Sequence, residues 1–183
     1  MYPYDARKSL LHHGDIYFWT ATIHRWQHLL EKDEYKQIIL NSLEYLSDRK
    51  MIEVFAFVIM PNHIHLIWRI LTPNGKESPQ VSLLKYTAHL FRKTLYNENK
   101  SQLLAYAINA SNKQHQFWQR DSLGIRLYTP KVAFQKLHYL HNNPVAKHWK
   151  LVPDPCDYWY SSIRLYEKNK NDFSFLKDLR EVM

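Results

Sequence analysis

The chain has 183 residues, 45% of them hydrophobic and 15% aromatic, which is enough to bury the core of one domain and excludes wholesale disorder. Its net charge of +8 favours a polyanionic partner, either a nucleic acid or an acidic membrane surface. Three glycines, none in a G-x-x-x-x-G-K or G-x-G-x-x-G stretch, exclude the usual nucleotide-binding loops, and the single Cys156 excludes an intrachain disulfide and a cysteine-rich zinc site.

The first half of the chain predicts three strands and one helix. Residues 15–23, DIYFWTATI, are rich in β-branched and aromatic residues, which is typical of a strand. Residues 29–50 place apolar side chains at helical spacing. Residues 52–60 and 63–70 are two apolar runs of strand length, and the Pro61-Asn62 pair between them is typical of the turn of a hairpin.

The second half predicts two helices around a further strand. Residues 80–98 form an amphipathic helix with Val81, Phe91 and Leu95 on its apolar face, and residues 117–128 form a strand or part of a hairpin. A third helix begins at Thr129, a suitable N-cap, followed by Pro130. It ends before Pro144, because the residue that precedes a proline disfavours helical geometry.

The order of these elements predicts an α+β fold. A strand, helix, strand, strand, helix, strand succession is that of ferredoxin-like or RRM-like βαββαβ proteins, with an antiparallel sheet and helices on one face. The third helix and a C-terminal tail are additions to it. We expect one domain over residues 1–183, with a core of about 15–150 and an extension of about 151–183. Because no apolar run reaches about 18 residues, we expect a cytoplasmic protein that does not bind a membrane.

Two histidines in the second half of the predicted hairpin are candidate metal ligands. His63 and His65 are two residues apart on a strand, so their side chains lie on the same face. With 11 histidines in 183 residues, however, an H-x-H pair arises by chance about as often as not. The pair alone therefore does not separate a metal site from two half-exposed strand residues, and a third ligand and a chemistry are needed.

Three ordered motifs provide that context. VIMPNHIHLIW, FWQRD and YLHNNPVAKHWKLV together resemble the REP-associated tyrosine transposases of the single-tyrosine HUH insertion-sequence superfamily, and the later DYWYSSIRLY resembles the tail of that family. The resemblance covers residues 16–166. It implies an RRM-like sheet and a transposase or endonuclease that cleaves and rejoins single-stranded DNA through a 5′-phosphotyrosine. It also implies Mg²⁺ or Mn²⁺ as the cofactor.

The resemblance also implies roles for individual residues. His63 and His65 fall on the metal-binding pair, Tyr139 on the nucleophile, and Asn143 on the polar residue that completes the metal site. The spacing is compatible with these roles, since residues four apart share one face of a helix. Two imidazoles and one amide oxygen would leave coordination positions for phosphate oxygens and water.

Basic residues near the predicted site are expected to hold single-stranded or hairpin DNA, because such strands are bound by cationic grooves interleaved with aromatic rings. No nucleotide cofactor is expected. The long tail after Pro144 favours a monomer whose tyrosine helix docks on its own sheet, with a dimer as the alternative. The expected DNA-binding residues are Arg120, Arg126, Lys131, Lys136, His138, His141 and Lys147.

Two other functions fit the same sequence. One is a nucleic-acid-binding module of RRM-like fold without catalysis, in which His63 and His65 are incidental. The other is a metal-dependent nuclease that uses water in place of Tyr139. The sequence also leaves open whether the protein mobilises DNA or processes repeats for its host, and which hairpin it binds.

Overall fold

A four-stranded antiparallel sheet forms the centre of the computed structural model, which describes residues 11–110, 113–120 and 122–183. The strands are β1 (Ile16–Thr22), β2 (Ile52–Met60), β3 (His63–Ile70), β4 (Ala107–Ala110), β5 (Lys113–His115) and β6 (Leu123–Arg126). The sheet has the order β2-β3-β1-β6, whereas β4 and β5 pair separately. This order is the one that a βαββαβ chain produces, so the predicted fold class is confirmed.

The helices lie between and after these strands. They are α1 (Asp33–Asp48), α2 (Pro79–Glu98), α3 (Lys100–Leu104), α4 (Pro130–Asn142) and α5 (Ile163–Lys168). Short 3-10 helices span His24–Trp26, Leu29–Glu31, Asn143–Val145, Pro155–Asp157 and Leu179–Glu181. None of the helices in the described part of the chain has the length and apolar character needed to cross a membrane.

The two faces of the sheet pack against different helices. On β3, Leu66 and Trp68 belong to the core formed with α1 and α2, whereas Ile67 belongs to a second core formed with α4. This follows from the alternation of side chains along a strand. On β2 the alternation is interrupted by a register shift between Val54 and Ala56, a β-bulge that turns Phe55 and Ala56 toward the same core.

Helix α2 buries most of the predicted apolar face, but not its N-terminal end. Phe91 and Leu95 are buried as expected, but Val81 is exposed and Leu83 and Thr87 are buried in its place. Val81 precedes the buried Leu83 by two residues, about 200° around the helix, and so lies on the solvent side. The prediction for Val81 was wrong.

The C-terminal tail completes the edge of the sheet. Strand β2 is an edge strand, and the tail bonds to its free groups: Ile59 N donates to Tyr160 O at 2.9 Å, and the Tyr158 hydroxyl donates to Ile59 O at 2.7 Å. Further along, the Tyr166 hydroxyl donates to Phe55 O at 2.7 Å. An uncovered edge would expose a row of unpaired backbone groups. The tail is therefore part of the fold and also packs against α4.

Candidate active site

His63 and His65 lie side by side on the face of β3 that α4 covers. Their ring centroids are 4.7 Å apart, and both side chains are buried. Across the strand pair, Thr22 lies opposite His63 and Thr20 opposite His65. The strand thus places two imidazoles next to each other under a helix, where the neighbouring β1 contributes the small hydroxyl side chains of Thr20 and Thr22.

Each imidazole is held through its Nδ1 atom. His63 Nδ1 lies 2.7 Å from Asn62 Oδ1 and donates to it, since the Asn62 amide nitrogen donates on its other side to Trp26 O at 3.4 Å. His65 Nδ1 lies 2.7 Å from the Thr20 hydroxyl oxygen. A hydrogen bond to one ring nitrogen fixes the tautomer and leaves the other nitrogen as the metal ligand. The Nε2 atoms of both histidines are therefore the donors available to the site.

Burial keeps both imidazoles neutral. Burial, together with a smaller contribution from the nearby His148, lowers the pKa of His63 to about 4. Burial also lowers the pKa of His65 to about 3, with additional contributions from His63 and Lys136. A metal ion binds the unprotonated imidazole, so at neutral pH both rings are already in the form that can coordinate a cation.

Helix α4 brings Tyr139 to the same place. The helix begins as predicted, with the Thr129 hydroxyl accepting a hydrogen bond from Val132 N at 3.3 Å and with Pro130 as its first residue. Its apolar side packs on the sheet, while the Tyr139 ring lies at its flank, 5.6 Å from the His65 ring and 6.0 Å from the Phe18 ring. Tyr139 is 52% exposed, so a large substrate can reach it.

Asn143 follows one turn after Tyr139, where α4 gives way to a 3-10 turn at Pro144. Its side chain is buried, and its amide nitrogen donates to Tyr139 O at 3.3 Å. This bond leaves the amide oxygen as the atom that can face a cation. The predicted nucleophile and the predicted third ligand are therefore coupled through the backbone of one helical turn.

The four residues predicted for catalysis and metal binding line one cavity of about 390 Å³. Its lining residues are Thr20, Thr22, Trp26, Asn62, His63, His65, Tyr139, Asn143, His148 and Trp149.

The donor set fits a divalent cation that keeps open coordination positions. It offers two imidazoles and one amide oxygen, and no carboxylate lines the cavity. In the described residues, no group of three or more histidine, cysteine, aspartate or glutamate side chains is placed to hold a metal ion. Two nitrogen donors suit Mn²⁺ better than Mg²⁺, which prefers oxygen ligands.

Most residues predicted to bind DNA are exposed, and the half-buried Lys136 lies against the Tyr139 ring. Lys136 Nζ is 5.8 Å from the centroid of the Tyr139 ring and 5.1 Å from that of Phe18. Arg126, on the edge strand β6, forms an ion pair with Asp15 at 2.5 Å and lies over the Tyr128 ring. The remaining exposed members of the predicted set are Arg120, Lys131, His138 and Lys147.

His141 differs from the rest of that set. It is buried on the side of α4 that faces the C-terminal tail, its Nε2 lies 2.9 Å from the Ser162 hydroxyl, and its ring is 5.2 Å from that of Tyr166. Burial lowers its pKa to about 3, so it carries no charge at neutral pH. A buried, neutral imidazole offers little surface and no charge to a DNA strand, so its burial does not favour DNA binding by His141, which stays a prediction.

Several residues of the cavity were not assigned to the metal site from the sequence, although Trp149, with Trp118 and Trp159, is one of the tryptophans that the sequence offers for stacking on DNA bases. The Trp149 ring lies 5.9 Å from that of His63 and 5.7 Å from that of His28, which closes one side of the cavity. Trp26 and His148 also line it. The short KHW stretch after the tyrosine helix is the only sequence signal for Trp149 and His148, and it has no helical or strand periodicity. For Trp26 there is no such signal.

Comparison with known proteins supports the fold. No protein-family model matches the chain, and no curated protein matches it. A solved structure of a REP-associated tyrosine transposase bound to a REP hairpin is 19% identical and has a TM-score of 0.60, with 98% of this chain and 99% of that chain covered. A candidate transposase from Deinococcus radiodurans R1 is 14% identical, with 75% of this chain and 96% of that chain covered and a TM-score of 0.42. As the motifs predicted, the chain therefore has the fold of the REP-associated tyrosine transposase.

Proposed function

We propose that this protein is a DNA transposase or single-strand endonuclease that cleaves and rejoins DNA through Tyr139. The observation that carries the proposal is the cavity in which an exposed tyrosine lies beside two buried, neutral imidazoles and an asparagine. A tyrosine that only packs against the sheet would be buried, as Tyr158 is. Tyr139 instead presents its ring to solvent at the point where a metal-bound phosphate would lie.

The reaction follows from these groups. The Tyr139 oxygen attacks the scissile phosphorus as its proton leaves to solvent, the bond from phosphorus to the 3′ oxygen breaks, and that oxygen takes up a proton. The products are a 5′-phosphotyrosine and a free 3′-hydroxyl. Because the phosphodiester energy is kept in the covalent bond, the reverse attack by a 3′-hydroxyl rejoins DNA without a nucleotide cofactor.

The other residues of the cavity assist this step. His63, His65 and Asn143 would hold a divalent cation, which when bound neutralises charge that develops on the phosphate oxygens. Lys136 places a positive charge beside the Tyr139 ring, where it favours the approach of a phosphate. Trp149 and Asn62 keep the histidine pair enclosed and oriented.

We propose hairpin-forming single-stranded DNA as the substrate. The solved structure that shares this fold is described as bound to a REP hairpin, and the present chain is strongly basic. Exposed lysine and arginine residues on α4 and around it can bind a DNA backbone without base specificity.

A comparison of matched tyrosine variants tests the proposal. Wild type, Tyr139→Phe and Tyr128→Phe are incubated with Mn²⁺ and a labelled hairpin-bearing single strand, and covalent adducts are separated under denaturing conditions. Tyr128 is a suitable control because it is more exposed than Tyr139 and lies just before the same helix. We expect an adduct with wild type and Tyr128→Phe and none with Tyr139→Phe.

The other outcomes separate the alternative functions. Cleavage that persists in Tyr139→Phe would overturn the tyrosine nucleophile and favour a water-dependent metallonuclease. Binding by wild type without any cleavage would favour a non-catalytic nucleic-acid-binding module.

A further inference from the structure

Trp26 is an exposed aromatic side chain at the cavity that contains Tyr139. It is 60% exposed, and its indole forms no hydrogen bond, ring contact or cation–π contact with any residue that the structure describes. Trp159, the other strongly exposed tryptophan, contacts both Phe173 and Arg164. An indole with a free face is costly to leave in water, because aromatic surface is the largest apolar surface that a side chain can bury.

The backbone that presents this indole is strained. Arg25 and Trp26 both have positive φ, 55° and 57°, a left-handed conformation that side chains with a Cβ rarely adopt. Two such residues in succession persist only when the surroundings over-determine them, and such residues cluster at functional sites. The chain therefore spends folding free energy on a conformation that turns Trp26 outward.

The same turn is firmly held, so the exposure of Trp26 does not come from a loose loop. His24 N donates to Phe117 O at 2.7 Å, Trp26 N donates to Ile23 O at 2.9 Å, and Gln27 N donates to His24 O at 3.3 Å. Asn62 connects the turn to the candidate metal site, because its amide nitrogen donates to Trp26 O while its oxygen accepts from His63 Nδ1. The Asn62 side chain thus holds both His63, a predicted metal ligand, and the backbone of Trp26 at the mouth of the cavity.

Arg25 adds charge to this surface. It is exposed and forms no salt bridge within the described part of the chain. A free guanidinium next to a free indole is the pairing that binds single-stranded nucleic acid, in which the cation contacts phosphate and the ring stacks on a base.

We infer that Trp26 is the stacking platform for one base of the single-stranded DNA beside the phosphate that Tyr139 attacks, and that Arg25 contacts the adjoining backbone. This inference rests on the proposed function and adds a residue that positions the substrate. Stacking tolerates any base, since every base has a flat π-face. Trp26 therefore fixes the distance of the strand from the site and leaves the choice of sequence to other contacts.

A double-mutant cycle between protein and DNA tests the inference. Binding of a fluorescently labelled hairpin-bearing single strand is measured by anisotropy, with Tyr139→Phe as the parent so that no cleavage occurs. Abasic residues are introduced one at a time around the expected cleavage site, and each DNA is measured with the parent and with added Trp26→Ala, Trp26→Phe or Trp159→Ala. Thermal melting confirms that each variant is folded.

We expect Trp26→Ala to weaken binding about 5- to 150-fold, the range for one stacked base. At a single DNA position, the abasic change should weaken binding to the parent but add almost nothing to Trp26→Ala. Trp26→Phe should retain most of the affinity, and Trp159→Ala should bind like the parent.

The failures are distinguishable. Unchanged binding by Trp26→Ala, or losses that simply add at every abasic position, would overturn the role of Trp26 while the proposed function stands. A folded parent that binds no single-stranded DNA would overturn the proposed function, and the inference with it.

Discussion

The two faces of the central sheet are both covered by helices, yet they carry different chemistry. Toward α1 and α2 the strands present a continuous apolar surface in which the rings of Trp19 and Trp68 lie 4.9 Å apart. Their indole nitrogens are buried and have no hydrogen-bond partner among the described residues. Toward α4 the surface is apolar at one end, with Phe18 and Ile67, and polar at the other, where the histidine pair lies.

The difference shows how one strand serves stability and function together. Because side chains alternate along β3, every second residue enters the apolar core while the intervening ones face α4. The first set holds the strand in place, so that the imidazoles of the second set keep a fixed separation. Substitutions on the α1 and α2 face should therefore change stability, and those on the α4 face should change binding and chemistry.

Among the variants that test this difference between the two faces, Trp68→Ala should have the largest effect, a loss of stability. Trp68 is fully buried between β3 and the helices, and truncation of a buried tryptophan costs about 3–5 kcal/mol through lost burial and the cavity left behind. We expect the free energy of unfolding in urea to fall by that amount. The exposed Trp26→Ala is the control and should lie within about 0.5 kcal/mol of wild type. Equal losses for the two variants would show that the apolar face is not the main source of stability.

The sequence predicts the α4 face in part only. Strand alternation places His63 and His65 on one side, and helical spacing places Tyr139 and Asn143 on one side. Neither pattern predicts which side of a helix faces the sheet once the helix packs against it. His141 is expected to contact DNA because it lies beside Tyr139 on the predicted helix, three residues from His138. Its burial could not be predicted, because its partner Ser162 belongs to a tail of irregular structure that has no periodicity. The left-handed turn at Arg25 and Trp26 could not be predicted from the sequence either, since neither of these two residues is a glycine.

Asn62→Ala should have the second-largest effect, a loss of metal affinity. Asn62 accepts from His63 Nδ1, and loss of a partner that orients a metal-binding histidine lowers metal affinity about 10- to 100-fold. We expect this loss for Mn²⁺ in titration calorimetry. Asn41→Ala, at an exposed site on α1 that bonds to Gln37, is the control and should bind Mn²⁺ like wild type. If Asn62→Ala bound Mn²⁺ with wild-type affinity, metal binding would not depend on the hydrogen bond that orients His63.

Two threonines on β1 provide a closer comparison within the α4 face. Thr20 and Thr22 lie on the same side of the strand and both line the cavity, but only Thr20 has a hydrogen bond to an imidazole, that of His65. Valine has nearly the shape of threonine and lacks the hydroxyl. We expect Thr20→Val to lower Mn²⁺ affinity about tenfold and Thr22→Val to leave it unchanged. Titration calorimetry measures the Mn²⁺ affinity of both variants. Equal losses of affinity would mean that the polarity of the cavity, and not the orientation of His65, controls metal binding.

The smallest expected effect concerns the strained turn at the mouth of the same cavity. In Arg25→Gly the positive φ of residue 25 no longer strains a Cβ, which is worth about 1–2 kcal/mol, but the glycine loses about 0.5–1 kcal/mol in backbone entropy on folding. The net gain in the free energy of unfolding should lie between about 0 and 1.5 kcal/mol.

Lys50→Gly is the matched control for that variant, because Lys50 also has a positive φ, 56°, but lies just after the end of α1, away from the cavity. Thermal melting should show a similar small stabilisation in both variants, whereas single-stranded DNA should bind more weakly to Arg25→Gly alone. Equal DNA binding by the two variants would mean that the Arg25 side chain does not contact DNA. A loss confined to Arg25→Gly would mean that the strained turn presents a guanidinium that binds the substrate at the polar end of the α4 face.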